Sequence, residues 1–184
     1  MNTQPFQILS PNLLLSYPGG EEINADLVRV LVDKNRGRNI MRQTNEGKPP
    51  LHIALEQKVS KEIIEILMNV FRKQSYDEIN TIYKKRVLLH TDNEHGDTVL
   101  HYACKFGASL DIFELLLFDD QKEEENKNLI RKENNEGENI LHYTCKYNLN
   151  LDALKLLVEK GGRKALKSNQ TGKMPFETAC SNKK

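Results

Sequence analysis

Two stretches of the chain are almost identical, LHYACK at residues 100–105 and LHYTCK at residues 141–146. A chain that writes the same segment twice must fold so that each copy finds an equivalent place, which excludes most architectures at once. Each copy also sets a histidine three residues before a cysteine, so His101, Cys104, His142 and Cys145 can be read as four zinc ligands. The flanking residues decide between repeat and metal site. Extended outward, the copies become NEHGDTVLHYACKFGASLDIFELLL and NNEGENILHYTCKYNLNLDALKLLV, which match in apolar pattern along their whole length. A third copy, TNEGKPPLHIALEQKVSKEIIEILM, starts at Thr44, and a fourth, NQTGKMPFETAC, starts at Asn169. The third keeps His52 but has Leu55 in place of cysteine, and the fourth keeps Cys180 but has Glu177 in place of histidine. A zinc site accounts for two copies and repeat phase for four, so no metal is expected.

Each copy opens with a polar turn closed by a glycine, at Gly47, Gly96, Gly137 and Gly172, spaced 49, 41 and 35 residues apart. A short helix follows. Thr98 and Asn139 are good N-caps, Pro50 and Pro175 stand where a first helical turn tolerates proline, and Pro49 and Met174 occupy the cap position without its chemistry. Gly107 and Asn148, just after the first helix, are suited to a left-handed stop. A second helix then carries apolar residues at helical spacing, as in Ile63, Ile64, Leu67 and Val70, or Ala153, Leu154, Leu157 and Val158. One such hairpin cannot bury both of its apolar faces, so successive copies must stack into a solenoid.

The segments GKPPLHIA, GDTVLHYA, GENILHYT and GKMPFETA resemble the ankyrin repeat, G-x-[T/P]-P-L-H-x-A followed by a Leu-rich helix. The spacing shrinks toward its repeat length of about 33 residues. The resemblance implies an all-α fold, an ankyrin-like solenoid of stacked helix-turn-helix repeats joined by short β-turn or hairpin loops. It divides a single domain, residues 1–184, into a worn N-terminal repeat or cap (1–43) and repeats at 44–92, 93–133 and 134–168, with a half-repeat cap at 169–184. Two insertions depart from the family pattern, and each full copy has one residue more than usual between its helices. Residues 72–90 are expected to extend or add a helix. Residues 119–132, with DDQKEEENKN, read as a solvated acidic loop.

The charge balance, 27 Lys and Arg against 26 Asp and Glu, leaves +1 and argues against a nucleic-acid partner. MNTQPF carries no basic residue and the run Leu13–Leu15 is too short for a leader or membrane span, so a cytoplasmic or nucleocytoplasmic protein without membrane contact is expected, export of a leader-trimmed form staying open. Three cysteines suit a reducing compartment. Neither a nucleophile elbow, a P-loop, a dinucleotide fingerprint nor an HExxH motif is present, so the expectation is a binding module without catalysis, cofactor or small-molecule substrate.

In function, the ankyrin resemblance implies a monomer that binds a partner protein through its turn tips and the exposed side of its first helices. Carried onto this chain, it selects Glu46, Lys48 and Gln57 in one repeat, and His95, Asp97, Lys105 and Phe106 in the next. Glu136, Glu138, Lys146 and Tyr147 follow, then Lys173. Phe106 and Tyr147, each beside a lysine and in the same phase, form the expected centre of that surface, a ladder of aromatic and basic groups. The alternative is an architectural role, as a repeat segment or subunit of a larger assembly.

Overall fold

In the computed structural model, residues 24–34, 42–69, 77–118, 122–147 and 151–181 are described. The expectations for most of the N-terminal cap, for Val70 and for the stop at Asn148 lie outside them. The chain divides into two compact units at Val87/Leu88.

The first unit contains helices α1 (Ala25–Lys34), α2 (Pro50–Glu56) and α3 (Lys61–Asn69), with α4 (Asp77–Leu88) ending at the division. Helix α3 packs against both α1 and α2. Val28 and Val32 of α1, Leu51, Ile53, Ala54 and Leu55 of α2, and Ile63, Ile64, Leu67 and Met68 of α3 are all buried there, Ile63, Ile64 and Leu67 being part of the stripe expected from spacing. Pro49 gives α2 no side-chain cap, as its chemistry requires. After α2 the left-handed stop falls on Lys58, with φ 52°, in the phase that holds Gly107, with φ 71°, one repeat later. The first insertion supplies α4 in its described part.

In the second unit, α5 (Val99–Lys105) and α6 (Leu110–Leu116) form a hairpin, followed by α7 (Glu123–Arg131), α8 (Ile140–Lys146), α9 (Leu151–Gly161), a 3-10 turn at Arg163–Leu166 and α10 (Pro175–Ser181). The first helices of successive repeats stack in a row, α5 on α8 and α8 on α10, while α7 packs on α9. Leu100 and Leu141 are 0% and 1% exposed between these layers. The fold is the helical solenoid expected from the repeats. Its only sheet-like pairing among the described residues is an isolated antiparallel bridge between Thr91 and Thr98.

Two expectations need correction. Residues 119–132 are not simply a solvated loop, because residues 123–131 form α7 and bury Asn126, Leu129 and Ile130. The acidic first turn of α7 and Arg131 in its last turn complement the helix dipole, and Lys127 bridges Glu123 and Glu124 at 2.6 and 2.7 Å. Asn126 is buried without penalty because it accepts from the Phe118 N–H at 2.7 Å and donates to the Phe118 carbonyl at 2.9 Å. The second correction concerns Phe176: repeat phase places it, like Leu100 and Leu141, between adjacent hairpins, but it is 62% exposed. Helix α10 turns Pro175 and Thr178 inward against α8, and Phe176 lies on a side that no described helix covers.

Candidate functional site

The surface formed by α5 and α8 begins with the turns that aim the helices. In each turn one side chain accepts several backbone N–H groups. Asn134 Oδ1 accepts from Glu136 and Glu138 at 3.0 Å each, and Asn169 Oδ1 accepts from Thr171 and Lys173 at 3.0 Å each. Thr44 Oγ1 does the same for Glu46 and Lys48 at 3.2 and 3.3 Å. In the turn before α5 the acceptor is Asp92, which takes the N–H groups of His95, Gly96 and Asp97 at 2.8, 2.9 and 3.3 Å. That turn therefore contains one residue more than its neighbours. Gly137, with φ 73°, closes the turn before α8 where a Cβ would stand 2.8 Å from the backbone nitrogen of Gln170.

His101 and His142 each lock their turn to the next. Nδ1 of His101 accepts from the Thr98 N–H at 3.1 Å, so Nε2 carries the proton it donates to the Glu138 carbonyl at 3.0 Å. His142 repeats the pattern with the Asn139 N–H at 3.3 Å and the Lys173 carbonyl at 3.1 Å. In the fourth copy Glu177 Oε2 accepts from the Met174 N–H at 2.6 Å, so a carboxylate occupies the histidine's role toward the backbone. Cys104 lies buried with Sγ 3.5 Å from Thr144 Oγ1, and burial pushes its thiol up to about 12. Both nitrogens of His101 and of His142 are thus committed to the backbone, and no metal-binding group of three or more His, Cys, Asp or Glu forms among the described residues.

Under this lattice lies a buried polar cluster. Asp97, fully buried, accepts the Tyr143 hydroxyl at 2.8 Å on each oxygen and Asn134 Nδ2 at 2.9 Å. Asp92 accepts the Tyr102 hydroxyl at 2.8 Å. Burial and the neighbouring Asp97 charge push the Tyr143 hydroxyl upward, keeping it a neutral donor. Asp97 was expected on the binding surface and is withdrawn from it: its turn is one residue longer, and its carboxylate points inward to two donors of the next repeat. Glu138 is withdrawn too, 6% exposed and bridged to Lys146 at 3.0 Å.

The exposed side of α5 and α8 carries the rest. Phe106 is half-buried and leans on Tyr102, with ring centroids 5.6 Å apart; Tyr147 is 38% exposed and leans on Tyr143 at 5.4 Å. Lys105 Nζ lies 5.9 Å from the Tyr102 and Phe106 ring centroids, and Lys146 Nζ lies 5.4 Å from that of Tyr143. Tyr102 and Tyr143 had not been picked out in the sequence, although each stands four residues before its partner ring, the spacing of neighbours on one helix face. Burial raises the pKa of Tyr147, an effect that Lys146 opposes. His95 and Glu136 stand at the turn tips, His95 3.4 Å from Glu94, and Lys173 is exposed. In the first unit, Glu46 and Gln57 are exposed and Lys48 is bridged to Glu46 and Glu56 at 2.9 and 3.2 Å.

The repeated turn, the histidine lock and the stacked hairpins coincide with a match of residues 21–130, more than half of the chain, to the family model for ankyrin repeats (3 copies). The chain belongs to the ankyrin repeat family. The stretches from residues 134 and 169 lie beyond the matched segment. Among solved structures, the ankyrin chain is similar to a chain of the complex of the Bd0816 predatory endopeptidase from Bdellovibrio bacteriovorus with the immunity protein Bd3460, at a TM-score of 0.62 and 23% identity. The match covers 86% of this chain and 68% of that one. No curated protein matches the sequence. No helix among the described residues is long and apolar enough to cross a membrane.

The buried groups make the ankyrin unit acid-sensitive. Burial holds His101 below its ordinary value of 6.5, outweighing Asp97 and the Glu138 carbonyl. The unfolded chain therefore takes up that proton first, and the stability His101 contributes is complete above about pH 6.5 and declines as pH falls through that value. Burial pushes Asp92 up, but the N–H groups of its turn and the Tyr102 hydroxyl together bring it below the ordinary 3.8. Its contribution is present above about pH 4 and lost below. Urea unfolding is expected to show a plateau near pH 7 to 8, a fall below pH 6.5 as His101 takes up its proton and a further fall below about pH 4 as Asp92 does, each of up to about 1.4 kcal/mol per pH unit. Greater stability at pH 5 than at pH 7.5 would contradict this.

Proposed function

We propose that this ankyrin protein acts by binding a partner protein across the exposed side of α5 and α8, occupying the partner's surface as a competitive inhibitor or adaptor, and that it does so as a cytoplasmic monomer without chemistry of its own. Ankyrin repeats are protein-interaction modules, and the observation that carries the placement is the pair Phe106 and Tyr147. The two rings sit in the same phase of adjacent stacked helices, each backed by a buried tyrosine and flanked by a lysine. A backed ring is held in place before binding, so little side-chain freedom remains to be lost on association. The solved complex of an endopeptidase with an immunity protein supports the inhibitor form of the reading, since a similar fold occurs in it.

An affinity-purified partner, measured by calorimetry against the wild-type chain, is expected to lose about 2 kcal/mol, roughly 30-fold, on Phe106→Ala and again on Tyr147→Ala. Unchanged affinity for both variants would refute the placement. The architectural reading is favoured by one observation, the 62% exposed Phe176. Light scattering separates the two: a monomer supports the self-contained module, and an oligomer dispersed by Phe176→Ser supports a subunit of an assembly.

A further inference from the structure

Three repeats place a charged residue three positions before the marker leucine and another five positions after it. Around Leu51 these are Lys48 and Glu56, joined at 3.2 Å, and around Leu141 they are Glu138 and Lys146, joined at 3.0 Å. The sign is reversed between the two repeats, yet each pair closes on itself. Around Leu100 the pair is Asp97 and Lys105, and it does not close. Asp97 is fully buried and turned toward Tyr143 and Asn134 of the next repeat. Lys105 is left over the faces of Tyr102 and Phe106, half-buried, with no carboxylate within bridging distance among the described residues. The next lysine along the ladder is different: burial lowers the pKa of Lys146, but Glu138 raises it further, and that pair is already satisfied.

From this we infer that Lys105 is the charge-reading position of the aromatic ladder, and that the partner presents an acidic side chain, Asp or Glu, beside an apolar residue that packs on Phe106. The inference rests on the binding face proposed above and specifies what that face selects. An ammonium stacked against two rings attracts a carboxylate in surroundings poorer in water than open surface, where a charge-assisted hydrogen bond is stronger. Among the described residues Lys105 has no ion pair to break on binding, so the partner's carboxylate meets a charge that none of them pairs. Lys48 and Lys146, in contrast, would each have to give up an existing bridge. Selectivity therefore comes from the single repeat whose acidic residue has been diverted into the interior.

The test starts from the full chain and random 12-residue peptides displayed on phage. Selected peptides are expected to share an Asp or Glu next to an aromatic or leucine residue. Binding of a synthetic selected peptide should fall at least about tenfold on Lys105→Met and equally on replacing its acid by the amide. The two changes together should cost no more than either alone, and Lys105→Arg should retain most of the binding. Thermal melting of Lys105→Met matching the wild type shows that the fold is intact. Peptides that depend on Phe106 and Tyr147 but ignore Lys105 and their own acid would overturn the inference and leave the binding face standing. Peptides insensitive to all three residues, or no selected peptide at all, would count against both.

Discussion

Asp97→Ala is expected to destabilise the second unit by about 3 kcal/mol in urea unfolding, a large effect for one turn residue. The reason lies in what would remain. Tyr143 and Asn134 both direct buried donors at this carboxylate, the Tyr143 hydroxyl lying 2.8 Å from each of its oxygens. Removing the acceptor leaves donors cut off from water, which costs more than the hydrogen bonds themselves were worth. The donors also belong to the next repeat, so the loss falls on an interface between repeats. Tyr143→Phe in the Asp97→Ala background should therefore cost little more, with a coupling of about 1 to 3 kcal/mol between the two sites. A loss below about 1 kcal/mol for Asp97→Ala, or strict additivity with Tyr143→Phe, would show that the cluster does not hold the repeats together.

Leu100→Ala should cost as much or more, about 3 to 4 kcal/mol, because the side chain is fully buried where α5 meets α8 and its removal leaves a cavity between layers. Leu151, 63% exposed at the start of α9, provides the control. Its replacement by alanine should stay within about 0.5 kcal/mol, since no transfer or cavity cost follows from trimming a side chain already in water. Equal losses at the two leucines would contradict the assignment of Leu100 to the stacking layer.

The stacked hairpins were legible in the sequence because their signals are local and repeated. The glycine that closes each turn, the N-caps Thr98 and Asn139, and the helix-spaced leucines each state a conformational preference that the neighbouring copy states again. The histidine lock could be foreseen as a structural feature for the same reason. Helix α7 was hidden because six of its nine residues are charged or amide-bearing before Leu129 appears, and polar runs read as loops; its burial depends on Asn126 reaching both backbone groups of Phe118, a tertiary event without a local signature. Phe176 was misread because repeat phase predicts equivalence, and burial depends on what stands on the far side.

The proposed binding face was half visible. Phe106, Tyr147, Lys105 and Lys146 could be found by phase alone, whereas the withdrawal of Asp97 depends on one extra residue in the turn of Asp92, which an alignment on the glycines conceals. Tyr102 and Tyr143 passed unnoticed because an aromatic residue inside a helix reads first as core. Here each is both, its hydroxyl held by a buried carboxylate and its ring supporting a less buried one.

The most direct measurement is an amide chemical-shift map of the full chain titrated with a bound partner segment. Binding across the ladder predicts the largest changes at residues 102–107 and 143–147, with small ones along α6 and α9. Changes concentrated on α9 and the Arg163–Leu166 turn, with residues 102–107 unmoved, would contradict it.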